Sequence, residues 1–385
     1  ISSRQLRDFC RELQVVQRQD AGDAKEVSEQ AGLLDKAVLD ARLYLGERQQ
    51  RQPWAEASAN PKVPEGFKAI LKALDQLHES LKPQQERSQA LQSLCNRAGL
   101  FAGRLRRLLG ESDKGSDSVR WLETFARSFL FHATPLDVAP LTGPHFADPK
   151  TAWVFTSATL AVDGQFDHFA GRLGIDDATT LQVGSPFDYA RNSLLYVPKG
   201  LPEPSDRSYT RSVVEATLPL VDSVPGGMFL LFTSHRALQE AADLLRDACE
   251  RLVLVQGQAP RGELVDRFRE DGRAILLGAA SFWEGVDVQG HALQLVVIDK
   301  LPFASPGDPV LQARLDSIRK DGGQPFRDHQ LPQAVISLKQ GAGRLIRGVN
   351  DRGVLMICDP RLYGKSYGRQ FRSSLPPMGV SRNPD

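Results

Sequence analysis

The stretch Gln340-Gly341-Ala342-Gly343-Arg344-Leu345-Ile346-Arg347 places a neutral amide, two glycines and two arginines within eight residues. A guanidinium stays charged at any useful pH and grips phosphate oxygens in a fork. The Gln340 amide can orient a water, and Gly341 and Gly343 let the backbone turn sharply and come close to a ligand. Arg344 and Arg347, three apart, are expected to share one face of a helical turn. These residue types suit one task, reaching the terminal phosphate of a nucleotide held by a different domain. Arginine fingers used this way are worth on the order of 10³ to 10⁵ in rate. The competing reading is a helix start carrying two solvated arginines.

Three further segments end in residues with chemistry. Trp153-Val154-Phe155-Thr156-Ser157-Ala158-Thr159-Leu160 reads as a strand closing on hydroxyls. Thr156, Ser157 and Thr159 could carry hydrogen bonds between a nucleotide site and a second ligand; the alternative is an ordinary helix cap. Phe229 to His235 repeats the pattern, with Thr233 and Ser234 opening a helix. Hydroxyls and backbone N–H groups there suit a nucleic-acid phosphate, or again a cap. Ser281-Phe282-Trp283-Glu284-Gly285-Val286-Asp287 follows a buried strand with two aromatics and two carboxylates. Trp283 either packs under its loop or stacks on a base. Glu284 and Asp287 would repel phosphate and are better suited to orienting arginines or a ribose, and Asp287 is a candidate partner for the 340–347 arginines. A fourth stretch interleaves Arg104, Arg106, Arg107, Arg120 and Arg127 with Trp121, Phe125, Phe129 and Phe131. That mixture fits either a single-strand groove or a bundle helix with a solvated basic face followed by a core strand.

Two features are missing from the sequence. It has no GxxxxGK[ST] loop to cradle phosphates and no DEAH-like acidic pair after a strand to hold Mg²⁺. The chain is therefore expected not to hydrolyse ATP alone.

The elements that must position these residues are legible from periodicity. Residues 1 to about 112 read as helical: Phe67, Ile70, Leu71, Leu74, Leu77 and Leu81 follow a 3-4 spacing, as do Leu91, Leu94, Ala98, Phe101, Leu105 and Leu108. Proline at 61, 64 and 83 punctuates them, and a polar turn over 111–118 closes the block. Beyond it, short apolar runs alternate with amphipathic helices: Trp153–Thr156, Leu194–Val197, Met228–Phe232, Leu252–Val255, Ala274–Leu277, Leu295–Ile298 and Val354–Cys358. Continuous apolar strands separated by helices mean a doubly wound parallel sheet covered on both faces, an α/β domain. Ligands gather at the carboxyl ends of such strands, where most of these motifs begin.

At 385 residues the chain is long enough for two or three domains. Its 41% apolar and 25% charged content is that of soluble globular proteins. A net charge of +1 makes any basic surface local. Cys10, Cys95, Cys249 and Cys358 are too far apart for CxxC-type metal spacing or a disulfide framework, which fits a reducing cytoplasm. No metal site is expected within the chain. No apolar run reaches the roughly 18 residues needed to cross a bilayer. Opening at Ile1 without a methionine, the chain reads as a fragment of a longer protein.

Taken in order, TSATL at 156–160, Phe232-Thr233-Ser234, SFWEGVD at 281–287 with Asp299-Lys300-Leu301-Pro302-Phe303, and QGAGRLIR at 340–347 resemble motifs III, IV, V and VI of superfamily 2 helicases. The wording FWEGVDVQG, IDKLPF and QGAGRLIR resembles the XPD/DinG group, its YoaA-type bacterial members most closely. The likeness runs over nearly the whole chain, including the opening Ile1 to Leu6 and His132 to Asp137. It implies a RecA-like motor domain 2 preceded by an all-helical Arch, with residues 1–133 as the Arch, 134–165 as the last strands of motor domain 1, and 166–385 as motor domain 2. It further implies an ATP-dependent DNA helicase moving 5′ to 3′ on single-stranded or forked DNA in repair or replication.

The same resemblance gives Gln340, Arg344 and Arg347 the catalytic, nucleotide-sensing role, with Gly285, Asp287 and Gly343 beside the nucleotide. It gives Thr156, Ser157 and Thr159 the coupling between ATP and DNA, and Thr233, Ser234, Ser281 and Trp283 the DNA contacts. ATP and Mg²⁺ would be held mainly by an upstream half, which would also carry a 4Fe-4S cluster; none of the four cysteines carries over as a cluster ligand. The implied partners are single-stranded DNA and replication or repair proteins such as a clamp-loader accessory subunit. The rival from another class is a non-catalytic DNA- or protein-binding module.

Overall fold

The computed structural model describes residues 1–110, 118–162, 164–279, 282 and 292–383. The chain divides into two compact units, Ile1–Val138 with Ser305–Gly322, and Ala139–Ala304 with Gly323–Asp385.

The first unit is built on α1 (Ser3–Asp20), α2 (Lys25–Tyr44), α4 (Lys62–Leu81) and α5 (Gln89–Leu109), with β1 (Gln50–Pro53) and the single turn α3 (Trp54–Ala57) between α2 and α4. The two apolar stripes read from the sequence are the buried faces of α4 and α5. Ser2 and Ser88 cap α1 and α5 by accepting from Gln5 N and Leu91 N. Phe9, Phe67, Phe101, Phe129 and Phe131 fill the space between the helices.

The expected helical block holds, with one addition. β1 pairs antiparallel with β2 (Ser118–Thr124), which pairs with β3 (Phe129–Pro135). β1 is four residues long, and its partner lies some seventy residues away, so local periodicity carries no trace of it. The hairpin turn is fastened by buried Arg42, which donates to the carbonyls of Phe125, Ala126 and Gly46. The helix Pro309–Lys320, distant in sequence, belongs to this unit: Asp308 at its N-cap pairs with Arg51, and Arg314 donates to the Leu136 carbonyl.

The second unit carries the sheet. Its elements are α6 (Ala139–Phe146), α7 (Asp167–Leu173), α8 (Tyr189–Asn192), β4 (Ser193–Tyr196), α9 (Tyr209–Ser223), β5 (Met228–Phe232), α10 (His235–Ala248), β6 (Val253–Val255), α11 (Arg261–Asp271), β7 (Ile275–Ala279) and β8 (Leu295–Ile298). After α12, the helix Pro309–Lys320 already placed in the first unit, come α13 (Leu331–Ala342), β9 (Gly353–Ile357), α14 (Arg361–Gly364), α15 (Gly368–Ser374) and β10 (Gly379–Ser381). The strand order is β10-β4-β9-β8-β5-β7-β6, and every pairing is parallel.

Along β5 the side chains alternate between two cores. Phe229 and Leu231 face α11, α13 and α15, while Met228, Leu230 and Phe232 face α9 and α10. Burial on both faces is why these strands read as unbroken apolar runs. The expected doubly wound sheet is therefore present.

One expected strand does not form. Residues 153–156 form no strand among the described residues, with Val154 at 83% and Trp153 at 50% exposure. An apolar run becomes a strand only beside another strand that takes up its backbone groups, and no described residue supplies one here. β10 is the converse case: too short to be noticed, it is recruited by the edge of β4.

Candidate nucleotide-sensing and strand-binding site

At the carboxyl edge of the sheet, β5 ends at Phe232, and Thr233 and Ser234 emerge exposed. The Ser234 hydroxyl accepts from Ala237 N at 3.2 Å and caps α10, so the capping reading of this residue is realised. Thr233 is held from the neighbouring strand. Its N–H donates to Asp299 Oδ1 at 3.0 Å, and its hydroxyl to Oδ2 at 3.4 Å. Asp299, 2% exposed, also accepts from Lys300 N at 2.6 Å.

Burial pushes the Asp299 carboxyl up to about 7, against the pull of those donors and of Lys300. The Lys300 ammonium itself is turned to the Pro204 carbonyl at 2.6 Å and lies over the Tyr209 ring. The Tyr209 hydroxyl donates to the Asp299 carbonyl at 2.6 Å. One strand over, fully buried Asp359 accepts from Leu301 N at 2.8 Å and from the Arg361 guanidinium, Nη2 to Oδ2 at 2.6 Å.

Asp299 and Asp359 escaped the sequence reading as site residues. Their signal was present, because each is an acid standing directly after a buried strand, at Ile298-Asp299 and Cys358-Asp359. Such an acid has the N–H groups of the next turn within reach.

The Gln340–Arg347 segment departs from its expected geometry. α13 stops at Ala342, where Gly343 N donates to Lys339 O at 2.8 Å. Arg344 sits in a turn and Arg347 in irregular backbone, so the two arginines do not share a helical face. Between them Leu345 and Ile346 are buried in the core at 2% and 3% exposure. Arg344 is itself enclosed at 9% exposure, Arg347 is half-buried, and each makes interactions within the fold. Asp351 fixes the following bend by accepting from Arg347 N at 2.8 Å and Gly348 N at 2.7 Å.

This segment also lies at the opposite end of the sheet from Thr233. Leu345 abuts Gly353 at the start of β9, and Asn192, just before β4, donates to the Val349 carbonyl at 3.1 Å. α13 runs back from the carboxyl end, where Phe326 stacks on Phe303 after β8. Twelve helical residues cover about 18 Å, the height of the sheet. Thr233 and Ser234 thus stand at the carboxyl end of β5, as expected, and the 340–347 segment at the other end of the sheet.

α13 does bring two of the motifs together. Lys339, beside Gln340, donates from Nζ to the Ala161 carbonyl at 3.1 Å, and Gln333 meets His168 at 2.6 Å. The Thr156–Thr159 segment is therefore anchored to the helix that carries Gln340. Thr156, Ser157 and Thr159 are exposed there, with Ser157 Oγ at 3.2 Å from both Thr159 Oγ1 and Thr159 N. Gly343 is exposed at the helix end. Ser281, Trp283, Glu284, Gly285 and Asp287 lie outside the described residues. Phe282, within that motif, is 2% exposed, packs on Gly278 and receives the Arg261 guanidinium over its ring at 5.4 Å.

Residues 217–378 match the family described as "Helicase C-terminal domain". The chain is 41% identical over its whole length to the "ATP-dependent DNA helicase YoaA" of Haemophilus influenzae, spanning 60% of that protein. It is 39% identical over 69% of its length to the "ATP-dependent helicase DinG" of Mycobacterium tuberculosis, spanning 41% of that protein. A solved apo XPD structure superposes on 97% of the chain with a TM-score of 0.62 at 13% identity, covering 72% of that chain.

The chain belongs to the XPD/DinG family of helicases. It spans about 60% of the length of its YoaA relative. For a member of this family, an iron–sulphur cluster has to be tested against the residues present. No three described His, Cys, Asp or Glu residues gather as metal ligands. The thiols of Cys10 and Cys358 are pushed up by burial, Cys10 to about 12, away from the thiolate a metal needs. The residues of this chain do not fit such a cluster. No described helix is long and apolar enough to cross a membrane.

Proposed function

We propose that this chain is the Arch and second motor domain of an ATP-dependent DNA helicase that moves 5′ to 3′ on single-stranded or forked DNA in cytoplasmic repair or replication. In this reading residues 1–133 form the Arch, 134–165 complete motor domain 1, and 166–385 are motor domain 2. Motor domain 1 would supply the phosphate cradle, the Mg²⁺-binding acids and the cluster cysteines absent from this sequence, and without it the chain is inactive.

ATP, when bound against a companion domain, supplies the free energy of closure and release. Arg347, the more open of the two guanidiniums, exchanges its local contacts for γ-phosphate oxygens as the cleft shuts; Arg344 stiffens the turn behind it, and Gln340 orients water. The Thr156–Thr159 hydroxyls relay that closure, and Thr233 with Ser234 holds a DNA phosphate at the far end of the sheet. Gly343, and Gly285 and Asp287 with them, sit beside the nucleotide; Ser281 and Trp283 add DNA contacts. Protein partners of the replication or repair class complete the picture.

The observation that carries this reading is the Lys339–Ala161 bond, because it ties the chain just after the proposed coupling segment to the proposed sensing helix. The names of the YoaA and DinG relatives supply its ATP and DNA. The test is Arg347→Ala in the full-length protein. Turnover should fall by at least ~10² with ATP binding largely spared, given the usual worth of an arginine finger. Unchanged turnover removes Arg347 from that role.

A further inference from the structure

The fold sorts the mixed basic and aromatic stretch between Arg104 and Phe131 into two fates. Three of its large aromatics are spent on packing, while Phe125 stays 37% exposed in the turn between β2 and β3. Phe129 and Phe131 are at most 1% exposed, and Phe131 stacks on Trp54. Trp121 is 9% exposed, stacks on His132 with centroids 4.0 Å apart, and donates from Nε1 to Thr134 Oγ1 at 3.0 Å. None of these three rings is open to a base. Arg106 is paired with Asp75.

Arg127 is exposed in the turn between β2 and β3, and the other three guanidiniums converge. Arg104 and Arg107 lie one turn apart on α5, exposed, and neither side chain has an ion pair or a hydrogen bond among the described residues. Arg120 reaches over from β2 and donates to the Leu108 carbonyl at 3.3 Å. It packs directly on Gly110, the left-handed C-cap of α5 (φ 84°), where any Cβ would strike Arg120 Nη1. The missing side chain thus makes room for the guanidinium, and the helix-end carbonyl fixes it. Together with Ser118 and His132 these residues line a cavity of about 460 Å³. The buried His132 Nε2 has no hydrogen-bond partner. No carboxylate is among the described residues lining this cavity.

We propose that this cavity is a phosphate subsite for the backbone of a single-stranded nucleic acid, borne by the first unit and additional to Thr233 and Ser234. Three cations with no acid among the described lining residues select an anion, and the fork of each guanidinium suits phosphate oxygens. With the rings beside the cavity buried, no stacking platform for a base adjoins it, so the grip is on the backbone and independent of sequence. The open, paired Arg104 and Arg107 suit successive phosphates of a strand better than an enclosed mononucleotide. The proposal rests on the DNA-binding reading above and adds a second point of contact to it.

The test measures salt-dependent binding of labelled oligothymidylate by the full-length protein, using fluorescence anisotropy. In R104Q/R107Q the log–log salt slope should fall by about 1.4, since each phosphate contact on a single strand contributes about 0.7. K68Q/K72Q removes the same charge from two exposed, unpaired lysines of α4 that do not line the cavity, and should keep the wild-type slope. A thermal melt should be unchanged in both, because no ion pair is lost. If the wild type binds and R104Q/R107Q keeps its slope, the subsite is overturned while the proposed function stands. If the wild type fails to bind, both fall. If free AMP competes as well as a strand at equal phosphate concentration, the cavity is a nucleotide pocket and the strand assignment is overturned.

Discussion

Replacing Asp299 by asparagine should change how the second unit's stability depends on pH. The carboxyl is 2% exposed, accepts from Thr233 and Lys300, and has no guanidinium or ammonium bonded to it among the described residues. Burial lifts it from its ordinary 3.8 to about 7. The native state therefore binds the proton more tightly than the unfolded chain does. Below pH 3.8 both states are protonated and the carboxyl contributes fully. As pH rises through the window up to about 7 the native state must give up its proton or pay for burying charge, and stability falls. At about 1.4 kcal/mol per pH unit this interval amounts to about 4 kcal/mol as a ceiling. Asparagine keeps the acceptor that faces the Thr233 and Lys300 N–H groups and does not titrate. The stability difference between D299N and wild type should thus shift in favour of the variant from pH 4 to pH 8 and level off above.

Hydrogen exchange of peptides covering β5 and β8 reads this directly, because both proteins share one intrinsic exchange rate at each pH. Four kcal/mol corresponds to about 10³ in the protection ratio, and even a quarter of it is about fivefold. A protection ratio that stays flat across the window would refute the reasoning, since it would mean that the buried carboxyl titrates alike in both states.

Other consequences are separable. Arg42→Ala removes the donor that fastens the β2–β3 turn and should cost about 2 to 4 kcal/mol, seen as a lower urea midpoint for the helical unit with the sheet unit unaffected. Gly110→Ala forces a left-handed residue and displaces Arg120; a loss of about 1 kcal/mol or more in thermal stability is expected, and an unchanged Tm would count against the cap geometry. Phe229→Ala empties a site packed against Phe268 and Phe282 and should cost about 3 to 5 kcal/mol by denaturant unfolding. Lys339→Ala should leave the fold intact and, in the full-length protein, lower the stimulation of ATPase turnover by DNA; unaltered stimulation would detach the Ala161 contact from coupling.

What the sequence determined on its own was everything with a strong local period. The stripes of α4 and α5 and the apolar runs of β4 to β9 name their own elements, because a strand buried on both faces is lined chiefly by apolar side chains. The ordered motifs pointed to the helicase relatives that the chain matches. Tertiary structure decided the rest. The 153–156 run formed no strand because strand formation depends on a neighbour. β1 and β10 formed because a neighbour was available. The helix ended at Ala342, so Arg344 and Arg347 came to flank Leu345 and Ile346, both buried in the core. Asp299 became a clamp on Thr233 only once β5 and β8 lay side by side in register, a contact between residues 66 positions apart. The interleaved arginines and aromatics between Arg104 and Phe131 make the same point: the sequence supplied their types, and packing alone decided which face inward and which remain open to an anion.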